Sequence, residues 1–280
     1  MRSIVIDPAV SGDDLRQQLF AENLVILTRL QALNDFVDYT REELAELFKP
    51  YDPEHVHKHI DPPGMAKILG AWKPRFIHSE RSKKLVRAVI AEAGFPPEDT
   101  HYDLPKPRTS FPVGHLTTGV AFAFPWHRDV WYSAPAQQIN WWLPIFPVRE
   151  DNAMSFDLAS FDRAVPNTSD GFDYYENSAS RMTTATQVGR ERQARPGAVD
   201  HHPDQELVIL PAPGEVLLFS GAQRPGPAPG LQQEREAREG PPAHLHARRL
   251  AHLAPAPGVG AADLHRRGPA RPGKPRSPPP

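Results

Sequence analysis

From residue 114 to residue 219 the sequence is cut into short apolar runs separated by turn-forming residues, and no other feature limits the fold as much. The runs are 119–124 (GVAFAF), 138–143 (QINWWL), 153–157 (AMSFD), 206–210 (ELVIL) and 215–219 (EVLLF). Each is too short for a stable helix and rich in the β-branched and aromatic residues that fit a pleated surface, so each is predicted to be a strand. Many short strands in succession bury their apolar faces only by packing sheet on sheet or by closing on themselves. The expected fold is therefore α+β: helices first, then a β-barrel or jelly roll with its core at about 114–223.

The N-terminal part supplies the helices. Asp13 and Asp14 open an acidic first turn, and Leu15 and Leu19 share one helical face. A buried strand is expected at 23–28. Thr40-Arg41-Glu42-Glu43 has the form of a capping box before Leu44, Leu47 and Phe48. Ser82 is placed to cap a helix carrying Leu85, Val86, Val89 and Ile90, which Gly94 ends. Residues 160–204 are polar and show no strong period; a stretch of that length between strands reads as a lid or insertion over a site.

Composition changes at Arg224. Residues 224–280 hold 13 of the 33 prolines and carry ten Lys or Arg against four acids, without a single Phe, Tyr, Trp, Ile or Met. Such a segment buries too little apolar surface to offset its ordering entropy, so a disordered tail is expected after an ordered domain spanning 1–223. The loss of some residue types and gain of Pro, Arg, Gly, Ala and His is also what reading a GC-rich gene out of frame after about Gln223 produces; the nucleotide sequence decides that point.

The formal net charge of −2 gives no bulk attraction to nucleic acid or anionic membrane. No apolar stretch reaches 18 residues, and the N-terminal run is too short for a signal peptide, so a cytoplasmic protein is expected. With no cysteine in the chain, disulfides and thiolate chemistry are excluded, and any metal must be held by His, Asp or Glu.

His and Asp two residues apart on extended backbone present both side chains on one face, which suits adjacent positions on an octahedral metal. The chain has four such pairs, so spacing alone decides nothing: His59/Asp61, His101/Asp103, His127/Asp129 and His202/Asp204. The first runs into Pro62-Pro63, the second lacks a long strand feeding it, and the fourth has a Pro between its members. Only His127 follows an apolar strand and is followed, some ninety residues on, by another strand able to bring a distal ligand across. Alternating His55, His57 and His59 read as a solvated loop. Lys73, Arg75 and His78 form either a solvated basic face or a contact for an anionic substrate. In the strand at 138–143, Gln138, Asn140 and Trp142 share one face and Ile139, Trp141 and Leu143 the other. The first set is a candidate wall beside the metal or a structural face. The aromatic residues Trp126, Trp131, Tyr132, Trp141 and Trp142 are either core or the lining of an apolar pocket.

Through Trp126-His127-Arg128-Asp129, Asn140-Trp141-Trp142-Leu143-Pro144 and the run 214–223 (GEVLLFSGAQ), the chain resembles the phytanoyl-CoA dioxygenase-like family of iron(II)/2-oxoglutarate-dependent oxygenases. The resemblance covers roughly residues 100–223. It implies a double-stranded β-helix and Fe(II) held by His127, Asp129 and a distal His. It also implies 2-oxoglutarate as co-substrate and O2-dependent hydroxylation of a small organic substrate; the alternation of the strand at 138–143 makes Gln138, Asn140 and Trp142 the candidate residues beside the co-substrate. Halogenating relatives lack the carboxylate ligand, so Asp129 points to hydroxylation. The chain departs from the pattern where the family expects the distal His, about two residues past Gln223, and an Arg for the far carboxylate some ten residues later. Here it reads Arg224-Pro225-Gly226-Pro227. His244, His246 or His252, with Arg248 or Arg249, would have to fold back to replace them; otherwise activity is weak or lost. Two other readings stay open: a non-catalytic barrel binding a small ligand, and a different metal enzyme using His55, His57 and His59.

Overall fold

The N-terminal helix signals become four α-helices in the computed structural model, which describes residues 3–8, 11–110, 126–150, 153–176, 196–199, 206–227, 244–248 and 251–253. They are α1 (Gly12–Phe20), α2 (Gln31–Phe48), α3 (Pro62–His78) and α4 (Glu80–Glu92). The Ser11 hydroxyl accepts from the Asp14 amide (3.1 Å) and caps α1. The Asp61 carboxylate accepts from Gly64 N (2.9 Å) and caps α3, with Pro62 at its first position, where a missing N–H costs nothing. Gly94, at φ 83°, follows the end of α4 as expected.

Two helix starts differ from the sequence reading. Ser79, not Ser82, caps α4, its hydroxyl accepting from Ser82 N at 3.0 Å. The capping-box pattern at Thr40 lies inside α2, where Thr40 Oγ1 donates back to the Phe36 carbonyl (2.7 Å). Burial overrides the local signal, because Ala32, Leu33, Phe36 and Val37 upstream of Thr40 already form an apolar stripe that extends the helix.

Eleven strands are described: β1 (Ile4–Ile6), β2 (Leu24–Leu27), β3 (Thr100–His101), β4 (Lys106–Ser110), β5 (Gln138–Pro144), β6 (Met154–Asp157), β7 (Glu206–Ile209), β8 (Val216–Ser220), β9 (Arg224–Pro227), β10 (His244–Arg248) and β11 (Ala251–Leu253). Eight form one sheet in the order β1-β2-β8-β5-β10-β4, with β11 pairing both β5 and β3; the other three form a second sheet, β7-β6-β9. The strands expected at 138–143, 153–157, 206–210 and 215–219 are present, and the one at 119–124 lies outside the described residues.

Side-chain alternation builds two cores. From the large sheet, Val25, Leu27, Ile139, Trp141, Leu143, Val216 and Leu218 pack against the helices through Phe36, Trp72, Phe76, Val86 and Ile90. From the opposite face, Leu24, Trp142, Leu217 and Phe219 meet Phe156 and Ile209 of the small sheet, the Phe156 and Phe219 rings lying 5.0 Å apart edge to face. Each fully buried Leu or Phe side chain contributes roughly 1.5–3 kcal/mol relative to exposure, so these faces carry most of the stability.

The architecture corrects two expectations. Among the described residues the two sheets face each other but do not close into a barrel, since β7 and β9 pair with no strand of the large sheet. The expectation of disorder from Arg224 onward fails for β9, β10 and β11. Pro225 and Pro227 are tolerated in β9 because it pairs only with β6 and is an edge strand, where a missing donor breaks no second ladder. Strands β10 and β11 contain no proline, and both find pairing partners along β5. No helix among the described residues is long and apolar enough to cross a membrane.

Candidate metal centre

His127 and Asp129 converge, with Nε2 of the imidazole 3.4 Å from Oδ1 of the carboxylate, and both residues are buried at 2% and 3% exposure. Neither lies on a regular strand. Arg128 is extended (φ −112°, ψ 141°), which alone puts its two neighbours on one side, and Asp129 then opens a 3-10 turn through Tyr132. The segment is tethered along its length. His127 N donates to the Pro225 carbonyl (3.2 Å), Val130 N to the Gly221 carbonyl (3.3 Å), and Ala198 N to the Trp126 carbonyl (2.7 Å). Between the two candidate ligands, the Arg128 guanidinium donates to the carbonyls of Ser160 and Arg163. Burial, and then the neighbouring Arg224 cation, lower the Arg128 pKa.

Strand β5 brings the next shell. Gln138 Nε2 donates to Asn140 Oδ1 (2.6 Å) and lies 3.4 Å from Asp129 Oδ2, so the two amides and the carboxylate form one chain of contacts. Both amides are buried, and among the described residues Gln138 Oε1 and Asn140 Nδ2 have no hydrogen-bond partner. A buried amide group left unsatisfied costs about 1–3 kcal/mol, so a polar partner at these two atoms is favoured. Trp142 shares the face of Gln138 and Asn140 but sits further along β5, packed with Leu24, Phe156 and Phe219 in the second core.

The residues present fit a ferrous ion with a carboxylate co-substrate. Two donors each about 2.1 Å from an octahedral metal lie about 3 Å apart when adjacent, close to the observed separation. Gln138 contacts the Asp129 carboxylate, and Asn140 Nδ2 is a buried donor without a partner among the described residues, a group type that suits a carboxylate. Among the described residues no three of His, Cys, Asp or Glu converge. The position at which the resemblance expects the distal His holds Pro225, whose backbone touches that of His127.

The other candidate pairs are not brought together in this way. His59 stacks on Tyr51 (4.4 Å between centroids), Asp61 caps α3, and Asp103 pairs with Lys106 (2.7 Å). His202 and Asp204 lie outside the described residues. His55 contacts Asp52 at 2.9 Å in a solvated turn, in keeping with a solvated loop at that cluster. Of the basic residues on α3, Arg75 and His78 are exposed, while Lys73 is half-buried near Arg108.

Gly226 and Arg224 went unread in the sequence, and Tyr132 was read only as core or pocket lining. Tyr132 stands edge-on to His127 (5.4 Å, 86°), held by Phe172 (5.4 Å) and by its hydroxyl donating to the Pro196 carbonyl (2.8 Å). Phe172 and Pro196 belong to the polar stretch 160–204, so its described parts do pack over the site. Gly226 lies against the Trp126 ring, where any Cβ would overlap the indole. Arg224, the first residue of the compositional break, is buried and paired with Asp157 at 2.8 Å across the β6–β9 pairing. A buried acid on a strand was the one available signal for such a partner.

No family model and no curated protein matches the chain. Solved structures that resemble it are distant. EvdO2 from Micromonospora carbonacea var. aurantiaca, complexed with 2-oxoglutarate, aligns over 88% of this chain and 93% of its own at 14% identity and a TM-score of 0.48. SnoK, a non-haem alpha-ketoglutarate-dependent carbocyclase from nogalamycin biosynthesis, aligns over 96% and 95% at 14% identity and a TM-score of 0.41. AviO1 from Streptomyces viridochromogenes Tue57 aligns over 89% and 100% at 12% identity and 0.39. Likeness at this level transfers neither substrate nor catalytic competence.

Proposed function

We propose that this chain is a ferrous, 2-oxoglutarate-dependent oxygenase, similar to the phytanoyl-CoA dioxygenase-like family, that hydroxylates a small organic substrate. The observation that carries the reading is the buried His127–Asp129 pair beside two amides with an unused acceptor and an unused donor. His127 and Asp129 would hold the metal, and Gln138 and Asn140 would orient the carboxylate ligand and the co-substrate. When bound, Fe(II) with 2-oxoglutarate supplies O2 activation coupled to loss of CO2. The protein's own contribution is preorganisation. The backbone tethers on residues 126–130 fix the donor pair before anything binds, and Gln138 keeps the Asp129 carboxylate turned toward His127. Tyr132 and the segment carrying Phe172 and Pro196 cover the imidazole and exclude water from it.

The test is an anaerobic titration with Fe(II) followed by 2-oxoglutarate, watching for the weak visible charge-transfer band of the chelate. The band is expected in the unsubstituted chain and absent in His127→Ala and Asp129→Ala. No band in the unsubstituted chain, with ligand binding indifferent to iron chelation, would replace this reading with that of a non-catalytic small-ligand protein.

A further inference from the structure

The back of the H-x-D segment rests on a buried ion pair. Along β6, Phe156 enters the core between the two sheets, so Ser155 and Asp157 take the opposite, outer face. Strand β9 pairs with β6 so that Arg224 lies opposite Asp157 and Gly226 opposite Ser155, on that same outer face. There the Arg224 guanidinium meets the Asp157 carboxylate at 2.8 Å, both side chains being almost wholly buried.

Residues 126–129 run along the other edge of β9, where His127 N donates to the Pro225 carbonyl. Their side chains divide between two sides. Trp126 lies toward the ion pair: its ring packs on Gly226, with the Arg224 guanidinium 5.4 Å from the ring centre. Arg128 follows it to that side. Its guanidinium donates to the carbonyl of Ser160, in a 3-10 turn (Leu158–Ser160) that Asp157 itself caps by accepting from Ala159 N at 3.1 Å. Arg128 is also attracted by the Asp157 charge and repelled by that of Arg224. His127 and Asp129, the alternate residues, converge on the opposite side. One carboxylate therefore serves both residues that face away from the site. Its Oδ2 holds Arg224, and through it the Trp126 ring; its Oδ1 holds the turn that receives Arg128.

We propose that the Asp157–Arg224 pair is a positioning device for the metal-binding residues: it seats Trp126 and Arg128, and so keeps His127 and Asp129 turned together toward the site. This rests on the ferrous-site reading above and adds to it what holds the donor pair from behind. Neither Asp157 nor Arg224 is a catalytic residue; each acts through residues 126 and 128.

The test compares Asp157→Asn, Arg224→Gln and the double variant in the full chain, by Co(II) titration and by amide exchange of the metal-free protein. Asparagine keeps an acceptor for Ala159 N and removes only the charge. The double variant leaves no lone charge buried, so it serves where Arg224→Gln alone does not fold. Co(II) affinity should fall about 10–100-fold in Asp157→Asn, as for an outer partner of a metal ligand. The double variant should lose no more than Asp157→Asn does, because the two residues act as one unit. In metal-free Asp157→Asn the His127 amide should exchange about 10-fold faster while the amides of β5 keep their protection. Arg224→Lys keeps the charge and should recover part of the affinity lost in Arg224→Gln. Leu33→Ala, a cavity in the helix-side core, should lower stability and leave the Co(II) affinity of the folded chain unchanged. Unchanged Co(II) affinity and unchanged His127 exchange, in both Asp157→Asn and the double variant, overturn the proposal and make the pair a bond internal to the small sheet. Free exchange of the His127 amide in the unsubstituted chain overturns it without any substitution. Co(II) binding indifferent to His127→Ala and Asp129→Ala defeats the ferrous-site reading instead, and the His127 exchange rates then decide the seating by themselves.

Discussion

Strand β5 has two faces made from consecutive residues, and they serve opposite ends. Ile139, Trp141 and Leu143 enter the helix-side core, where nearly every neighbour is apolar. Gln138, Asn140 and Trp142 face the small sheet, where only Trp142 joins an apolar cluster and the two amides remain polar and part-unsatisfied. All seven residues of the strand are buried, so exposure does not separate the faces. What separates them is whether burial is matched by like partners. The helix face meets apolar neighbours almost throughout; the other face, toward Gln138, buries amide groups that have no full set of partners among the described residues.

The largest effect should come from damaging the apolar face. Trp141 is fully buried and meets Phe95 edge to face at 5.8 Å. Trp141→Ala should cost about 3–5 kcal/mol in urea unfolding, since the cavity cannot collapse between a sheet and a helix layer. Trp141→Phe should cost far less, because the indole N–H finds no partner among the described residues and its loss forfeits no hydrogen bond. Neither change should alter metal affinity in the folded fraction. A metal defect in Trp141→Phe would show that the two faces are not independent.

An intermediate effect of the opposite kind is expected from Gln138→Leu. The substitution removes the amide that contacts Asp129 and also removes an unsatisfied carbonyl. Metal affinity should fall about 10–100-fold, as for loss of an outer-shell partner, while stability moves by less than about 1 kcal/mol. Titration with Co(II) beside a thermal melt checks both numbers. A large loss of stability with intact metal binding would make Gln138 a core residue and erase the contrast between the faces.

This asymmetry also explains what was legible in the sequence. Period-two alternation identified β5, β6, β7 and β8 and sorted the residues of β5 onto the correct faces, because burial on both sides enforces register. His127 and Asp129 were legible because one extended residue between them is enough to bring them together. Strands β9, β10 and β11 were not. Their composition argues against order, and their places are set by pairing with strands far away in the chain, β10 and β11 with β5 and β9 with β6. The Arg224–Asp157 pair shows the same limit: an arginine at the start of a proline-rich run gives no hint that it will be buried against an acid in a sheet. Pattern reading finds elements that bury themselves and misses those recruited by a partner far away in the chain. Closure was not legible for a related reason: among the described residues the two sheets do not join, and closure depends on which edges meet and not on how many strands the sequence contains.

The smallest effect tests whether the helix layer tolerates a charge. Lys73 follows Trp72 on α3, half-buried beside the core face, and its pKa falls from 10.5 to about 8, first through burial and then through the Arg108 cation on β4. A lysine whose pKa is lower in the folded chain than in the unfolded chain opposes folding while it is protonated. The cost is full below about pH 8, shrinks as the folded chain sheds its proton ahead of the unfolded one, and is gone above about pH 10.5. Wild-type stability should therefore gain with rising pH between those values, apart from other groups. Lys73→Met keeps the length of the side chain and removes the charge, so it should raise stability by about 1–2 kcal/mol at pH 7, allowing for partial access to water, and the advantage over wild type should vanish near pH 10.5. Urea midpoints at pH 7, 8.5 and 10 measure this. A constant advantage at all three would mean that methionine gains by packing alone. Lower stability at pH 7 would mean that the ammonium has a favourable partner, and that this part of the helix layer is organised around an anion.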